Sequence, residues 1–196
     1  MLLPTDRPLD ASLADTVREA LAQIDHPDIA MQAKEASVLL PLFERDRRPH
    51  LVLTLRPDDM PTHAGQVAFP GGSREDDDRD LFETAARETE EELGLDRAAI
   101  QNLGLVGTVP TLGSTFIVAC YAASIDPPER WSPNHREIAA VYEISLDELR
   151  DARSVEERER EGVRFKMPLF EVGDVRVWGF TAFMLARFLD ILDGQG

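Results

Sequence analysis

The stretch RETEEELG, Arg87 to Gly94, sets Glu88, Glu90, Glu91 and Glu92 within little more than one helical turn. Like charges at helical neighbour spacing cost about 0.2–0.5 kcal/mol per pair. These acids therefore either lie on a wet surface, where the cost is small, or meet a positive partner that the sequence does not contain. At about 100° per residue, with Glu88 at zero, Glu92 falls about 40° to one side and Glu91 about 60° to the other, while Glu90 points away. Phe82, Ala86, Thr89 and Leu93 gather on a separate arc at about 100–160°, the face suited to packing on a sheet. The predicted helix has an apolar side and, beside it, a stripe of three carboxylates. Carboxylates at i, i+3 and i+4 can converge on a hard divalent cation, and magnesium favours a few such oxygens together with water and substrate phosphates. The expected partner is Mg²⁺ or Mn²⁺, with Arg87, four residues before Glu91, holding that carboxylate in place.

Outward from this helix the chain alternates strands and helices. Asp80 is placed to cap the helix, with Glu83 three residues on in the manner of a capping box, and Gly94 is placed to end it in a left-handed conformation. Before it runs PDDMPTHAGQVAFPGGSREDDD, a long loop rich in Pro, Gly and Asp, of the kind that is functional or disordered in compact domains. Further upstream, ASVLLPLFE and HLVLTLR read as strands around the charged turn RDRRP. Leu13, Val17, Ala20, Leu21 and Ile24 share one face of a helix over about residues 12–25, with Ser12 as its cap. Downstream, LGLVGTV, TFIVACYAAS and REIAAVYEI read as strands and SLDELRD as a short helix. RSVEEREREG reads as an exposed loop or frayed helix, RFKMPLFEV and VRVW as a hairpin, and GFTAFMLARFLDIL as a closing helix over about residues 179–192. Repeats and domain-splitting linkers are absent, so residues 1–196 are expected to form one α/β domain, a mixed sheet covered on both faces.

A chain of 196 residues with 43% hydrophobic and 30% charged residues has the make-up of a globular protein with a core of its own. No run approaches the roughly 18 apolar residues of a membrane span. MLLPTDRPLD has prolines and acids where a secretory signal carries a basic and then an apolar region, and the cytoplasm is the expected compartment. The net charge of −16 argues against general affinity for nucleic acid or an anionic membrane. The single cysteine, Cys120, sits in an apolar run and reads as a buried strand residue.

GGSREDDDRDLFETAARETEEELGL resembles the Nudix box, G-x5-E-x7-R-E-U-x-E-E-x-G-U with U aliphatic, and Arg87, Glu88, Glu91, Glu92, Gly94 and Leu95 occupy matching positions. Two positions depart. Asp78 stands where the glutamate is expected, six after Gly72 but nine rather than eight before Arg87, which leaves open its contact with that arginine. Thr89 replaces the aliphatic residue, and its hydroxyl can bond to the carbonyl of Ala85. The resemblance implies a Nudix fold, an α/β/α sandwich, and hydrolysis of a diphosphate bond. It assigns Glu88, Glu91 and Glu92 as catalytic metal ligands, joined by a carbonyl at Gly71 or Gly72, and Glu137 as a further ligand or a base. Bound magnesium can neutralise phosphoryl oxygens and activate water, so a nucleophilic side chain is not required.

LTLRPDDMPTHAGQVAFPGG, Leu53 to Gly72, is similar to the signature of the coenzyme A diphosphatase branch, matching at Leu53, Thr54, Arg56, Gly65, Phe69, Pro70, Gly71 and Gly72. Pro57 and Pro61 depart, the latter where an arginine is usual. With the later segments EIAAVYEISLDEL and VWGFTAFMLARFL, the likeness covers roughly residues 34–192. It implies coenzyme A or acyl-coenzyme A as substrate, giving 3′,5′-ADP and 4′-phosphopantetheine or its acyl form. Arg56, His63 and Arg74 are the nearby cations that can face phosphates. Trp178, Phe183 and Phe188 read as core and dimer contacts, so a homodimer is compatible with the sequence. Three other readings stay open: a Nudix enzyme for ADP-ribose, nucleoside diphosphate sugars or dinucleoside polyphosphates; a Nudix module that binds a nucleotide without cutting it; and a plain acidic helix.

Overall fold

The computed structural model describes residues 6–26, 33–59, 64–110, 115–160 and 162–195. In chain order the elements are β1 (Asp6–Arg7), α1 (Ala11–Ala22), β2 (Lys34–Arg45), β3 (Arg48–Leu55), β4 (Val67–Ala68), β5 (Gly71–Ser73), α2 (Leu81–Leu93), β6 (Ile100–Pro110) and β7 (Phe116–Ile125). Then follow β8 (Ala140–Ser145), α3 (Leu146–Asp151), β9 (Arg153–Arg160), β10 (Val163–Val172), β11 (Val175–Val177) and α4 (Gly179–Leu192). No helix is long and apolar enough to cross a membrane among the described residues.

Strands β2 and β3 form a hairpin closed by Asp46 and Arg47, both at positive φ, 52° and 65°, the two-residue geometry that follows the right-handed twist of the strands. β2 pairs in parallel with β7, and every other pairing is antiparallel, so the sheet is mixed. The hairpin ladder runs only from Arg45↔Arg48 to Leu42↔Leu51. Beyond it the vacated edge of β3 takes β4 at Thr54 and Leu55, and the same edge of β2 takes β5 at Ala36 to Val38. The wedge so opened holds the segment before α2. Pro70 accepts from Leu39 N at 2.9 Å, Thr54 Oγ1 donates to the carbonyl of Ala68 at 3.1 Å, and Phe69 is buried.

Both faces of the sheet are covered. Leu40 and Leu42 of β2, Leu51 and Leu53 of β3, and Cys120 and Ala122 of β7 share a core with α1 and α4. The alternate residues Leu39, Phe43, Val52, Ala123 and Ile125 pack on the α2 side with Ala85, Leu93 and Leu95. This period-two partition makes an α/β/α sandwich. β9, β10 and β11 form a separate three-stranded sheet.

Several sequence expectations need correction. α1 begins earlier than expected, with Asp10 rather than Ser12 as cap, its Oδ1 accepting from Leu13 N at 2.9 Å, and it ends at Ala22. Asp80 caps α2 as expected, but Glu83 does not complete the box, because Arg79 takes its carboxylate through both N and Nε. Residues 153–160 form strand β9, not a loop or frayed helix. The alternation is present there, but its half-buried positions carry Glu156 and Arg158, opposite Met167 and Phe165. Those charges are paired: Arg158 with Glu156 at 2.7 Å, and Arg176 with Glu156 at 2.8 Å. Arg158 also lies over the Trp178 ring. Phe188 is fully buried, whereas Phe183 is exposed.

Candidate functional site

Helix α2 forms because its cap, its apolar arc and its terminal glycine agree. Gly94 sits at φ 70°, and its N–H returns to Glu90 O. Thr89 is fully buried and donates from Oγ1 to Ala85 O at 2.7 Å, the bond expected of it. Glu90 turns away and pairs with Arg97.

The other three glutamates receive different treatment. Glu92 is only 3% exposed, and its Oε2 accepts from Gly71 N at 3.1 Å. Burial pushes its carboxyl up to about 8, against the pull of the Gly71 N–H and of Arg56, while Glu88 and Glu137 push it further. Glu88 is raised too, first by burial, with Arg87 opposing and Glu91 and Glu137 adding to the rise. A β-carbon on Gly72 would stand 2.5 Å from the Glu88 carboxyl carbon, so this glycine is a cradle for that carboxylate. Glu91 is half exposed and touches Arg87 Nη1 at 3.3 Å. Glu88 and Glu92 thus meet the Gly71–Gly72 pair, while Glu91 leans toward Arg87. No three such side chains stand in a shared chelating arrangement among the described residues.

Arg87 is buried and clamps the preceding loop to the helix. Its Nε and Nη2 bind Asp78 Oδ1 and Oδ2 at 3.0 and 3.1 Å, Nη2 also reaches Ser73 O at 3.0 Å, and Nη1 reaches Glu88 at 3.1 Å. The displaced, shorter acid therefore does meet the arginine. Thr84 Oγ1 and Glu75 N each complete the carboxylate at 2.9 Å. The Arg87 guanidinium holds Asp78 down at about 2. Thr84 is a part of the clamp that no motif letter announces; its only signal is a small hydroxyl six residues beyond the acid, in the first turn of α2.

Glu137 lies in an exposed turn before β8 rather than opening the strand, and its carboxylate accepts from Asn134 Nδ2 at 3.1 Å. It is close enough to raise both Glu88 and Glu92. Arg56 also acts on Glu92, and its Nε is buried without a hydrogen-bond partner. Arg74 is exposed and engaged elsewhere, with Glu35 at 2.6 Å and Asp78 O at 3.3 Å. His63, and the departure at Pro61, lie outside the described residues.

The donor chemistry fits a hard divalent cation: two carboxylates held against the Gly71–Gly72 backbone in a site short of positive charge. Together these parts can bind an anion bridged to the protein by metal.

A family model for the NUDIX domain matches residues 33–164. The chain is 36% identical over 153 residues to an uncharacterised Nudix hydrolase, NudL, of Pectobacterium atrosepticum, covering 77% of this chain and 79% of the relative. It is 32% identical over 186 residues to the mitochondrial Nudix hydrolase 15 of Arabidopsis thaliana, covering 87% of this chain and 62% of the relative. The crystal structure of a MutT protein from Methanosarcina mazei shares the fold at a TM-score of 0.55 and 17% identity, over 85% of this chain and 98% of that one.

Proposed function

The chain belongs to the Nudix hydrolase family, whose members hydrolyse phosphorus-containing anhydrides with divalent metal ions, and from that premise we propose that it hydrolyses the diphosphate bond of coenzyme A or an acyl-coenzyme A, with Mg²⁺ or Mn²⁺, in the cytoplasm. The observation that carries the reading is the meeting of Glu92 with Gly71 N–H and of Glu88 with the Gly72 cradle.

Bound metal supplies charge neutralisation at the phosphoryl oxygens and a more acidic water. Glu88, Glu91 and Glu92, with the Gly72 carbonyl, are the groups that would hold it. Arg87 keeps Glu88 and Glu91 from drifting, and its own position is fixed by Asp78. Arg56, near enough for its charge to act on Glu92, is the guanidinium that would meet a non-bridging phosphate oxygen. Water adds to one phosphorus in line, the bridging P–O bond breaks, and the proton lost by the water passes to a carboxylate, for which Glu137 is the candidate in this reading. The products are 3′,5′-ADP and (acyl-)4′-phosphopantetheine.

The coenzyme A assignment rests on the signature between Leu53 and Gly72. Its matched residues mostly build the wedge: Leu53 and Phe69 are buried, Thr54 and Pro70 hold backbone, and Gly71 holds Glu92. Arg56 is left as the matched side chain with a free donor, so it is the substrate contact in this reading. The test is incubation of purified protein with coenzyme A, ADP-ribose and a dinucleoside polyphosphate, with and without magnesium. Preferential, metal-dependent release of 3′,5′-ADP supports the reading, and preference for another diphosphate refutes the substrate. Nucleotide binding without turnover of any of them refutes the enzyme assignment.

A further inference from the structure

A cavity of about 480 Å³ opens beside the loop that follows β7 and is lined by Trp131, Arg45, Arg130, His135, Ala139 and Glu143 among others. Its size falls in the range of small-molecule sites, roughly 300–1,000 Å³. The Trp131 indole packs partly on the core that contains Leu93 of α2 and also lines the cavity. It is oriented in advance: Nε1 donates to Glu143 Oε1 at 2.7 Å, and Glu143 Oε2 accepts from Arg45 Nη2 at 2.8 Å. Arg45 is fixed in turn by Asp6 at 2.6 Å and lies over the Phe43 ring. An aromatic surface held by such a chain of bonds loses little freedom when a flat ring settles on it.

The loop that carries this indole also reaches the glutamates. Ser132 N donates to Leu93 O at 3.3 Å and Asn134 N to the carbonyl of Glu92 itself at 2.9 Å. Asn134 Nδ2 holds Glu137. One short loop thus joins the cavity wall to the diphosphate site. Ala139 and Ala140 leave the wall low, Glu143 offers carboxylate acceptors suited to an exocyclic amine, and Arg130 is an exposed cation at the rim, with the exposed His135 imidazole beside it as a hydrogen-bonding group.

We propose that this cavity receives the adenine ring of a nucleotide substrate, stacked on Trp131, while the diphosphate lies against Glu88 and Glu92. The inference rests on the reading of the glutamates as a diphosphate site. The assay uses adenosine 3′,5′-bisphosphate, which has no diphosphate to cleave, without added metal. In Trp178→Phe protein Trp131 is the only indole, because the chain has two tryptophans. Saturable quenching of its fluorescence is expected, with weaker response to the uridine analogue. By calorimetry, Trp131→Ala raises the dissociation constant roughly tenfold or more, the size of one lost base stack. Ala139→Leu narrows the cavity from an exposed position and weakens binding likewise, so the test survives a Trp131→Ala protein that fails to fold. Nucleotide binding that leaves Trp131 fluorescence unchanged, or wild-type affinity in both variants, overturns the assignment. Quenching in a protein that cuts no coenzyme A supports the cavity while sinking the coenzyme A reading; diphosphate cleavage without quenching does the reverse.

Discussion

Gly72→Ala tests the site at its narrowest point. The new β-carbon would sit 2.5 Å from the Glu88 carboxyl carbon and from Oε1, where ordinary contact begins at 3.4 Å. The carboxylate must therefore retreat by about 0.9 Å. It lies at the end of a flexible side chain, so the fold gives way cheaply, at about 0.5–1.5 kcal/mol for an off-rotamer torsion. That corresponds to a fall in Tm of roughly 2–5 °C in a chain this long. Catalysis is far less forgiving: misplacing a catalytic group by about 1 Å costs on the order of 100-fold, or about 2.7 kcal/mol in the barrier. Gly71→Ala is the contrast. There φ is 148°, and the β-carbon would meet Ser37 O and stand 2.6 Å from Val38 Cα, both backbone atoms of β2. The β5–β2 ladder would have to part, and the protein should lose several kcal/mol or fail to fold. Turnover with magnesium and thermal melting, measured on both variants, separate the two effects. A Gly72→Ala enzyme with wild-type kcat and an intact melt would refute the cradle, as would a Gly71→Ala protein as stable as the parent.

Glu92→Gln should cut turnover at least about 100-fold while the metal-free protein melts at the same temperature or higher near pH 7, because the amide is neutral where burial disfavours the carboxylate. The wild-type Glu92 carboxyl stands at about 8, so the folded state binds the extra proton between the ordinary carboxylate range and pH 8. Metal-free stability should then fall as pH rises through that window, and the Glu92→Gln curve should be flatter; parallel curves would contradict it. Asp78, held at about 2 against an ordinary 3.8, works in the opposite sense: its contribution is present above pH 3.8 and lost as pH falls toward 2. The linkage is worth on the order of 1–2 kcal/mol after screening; urea midpoints between pH 5 and 2 should show this loss in the parent and not in Asp78→Asn. Arg47→Gly should stabilise by about 1 kcal/mol by relieving a left-handed side-chain residue in the β2–β3 turn, with activity unchanged; a lower melting temperature would count against that strain.

Helix α2 was readable because its information is local. The cap at Asp80, the arc through Phe82, Ala86, Thr89 and Leu93, and the stop at Gly94 all act within a few residues, and the Thr89–Ala85 bond follows from spacing alone. β9 is hidden in the sequence because its half-buried positions are Glu156 and Arg158, and the groups that receive them from outside the strand, Arg176 for Glu156 and the Trp178 ring for Arg158, are distant in sequence. The wedge between β2 and β3 was hidden for a similar reason. A proline- and glycine-rich loop carries no sign that two- and three-residue strands will fill an edge left open by the hairpin. Asp78 looked one place out of register, yet the loop before α2 absorbs the extra residue, with Glu75 N and Thr84 Oγ1 turning the shorter carboxylate onto Arg87.

The four acids of RETEEELG meet four different surroundings. Glu90 leaves the cluster for Arg97. Arg87 serves Glu88 and Glu91, but its Nε and Nη2 are already committed to Asp78, so one positive charge stands against three hydrogen-bonded carboxylates, with Glu75 a fourth at 3.8 Å. Glu92 receives only a backbone N–H and the more distant influence of Arg56, and burial leaves it raised to about 8. A surface stripe would not be built this way, because wetted acids need neither a buried arginine clamp nor a glycine kept bare for a carboxylate. The helix therefore carries a local deficit of positive charge that the protein's own side chains do not fill. A divalent cation shared with an anionic substrate would correct that deficit only while both are bound, so the same imbalance that costs stability at rest favours the assembled complex.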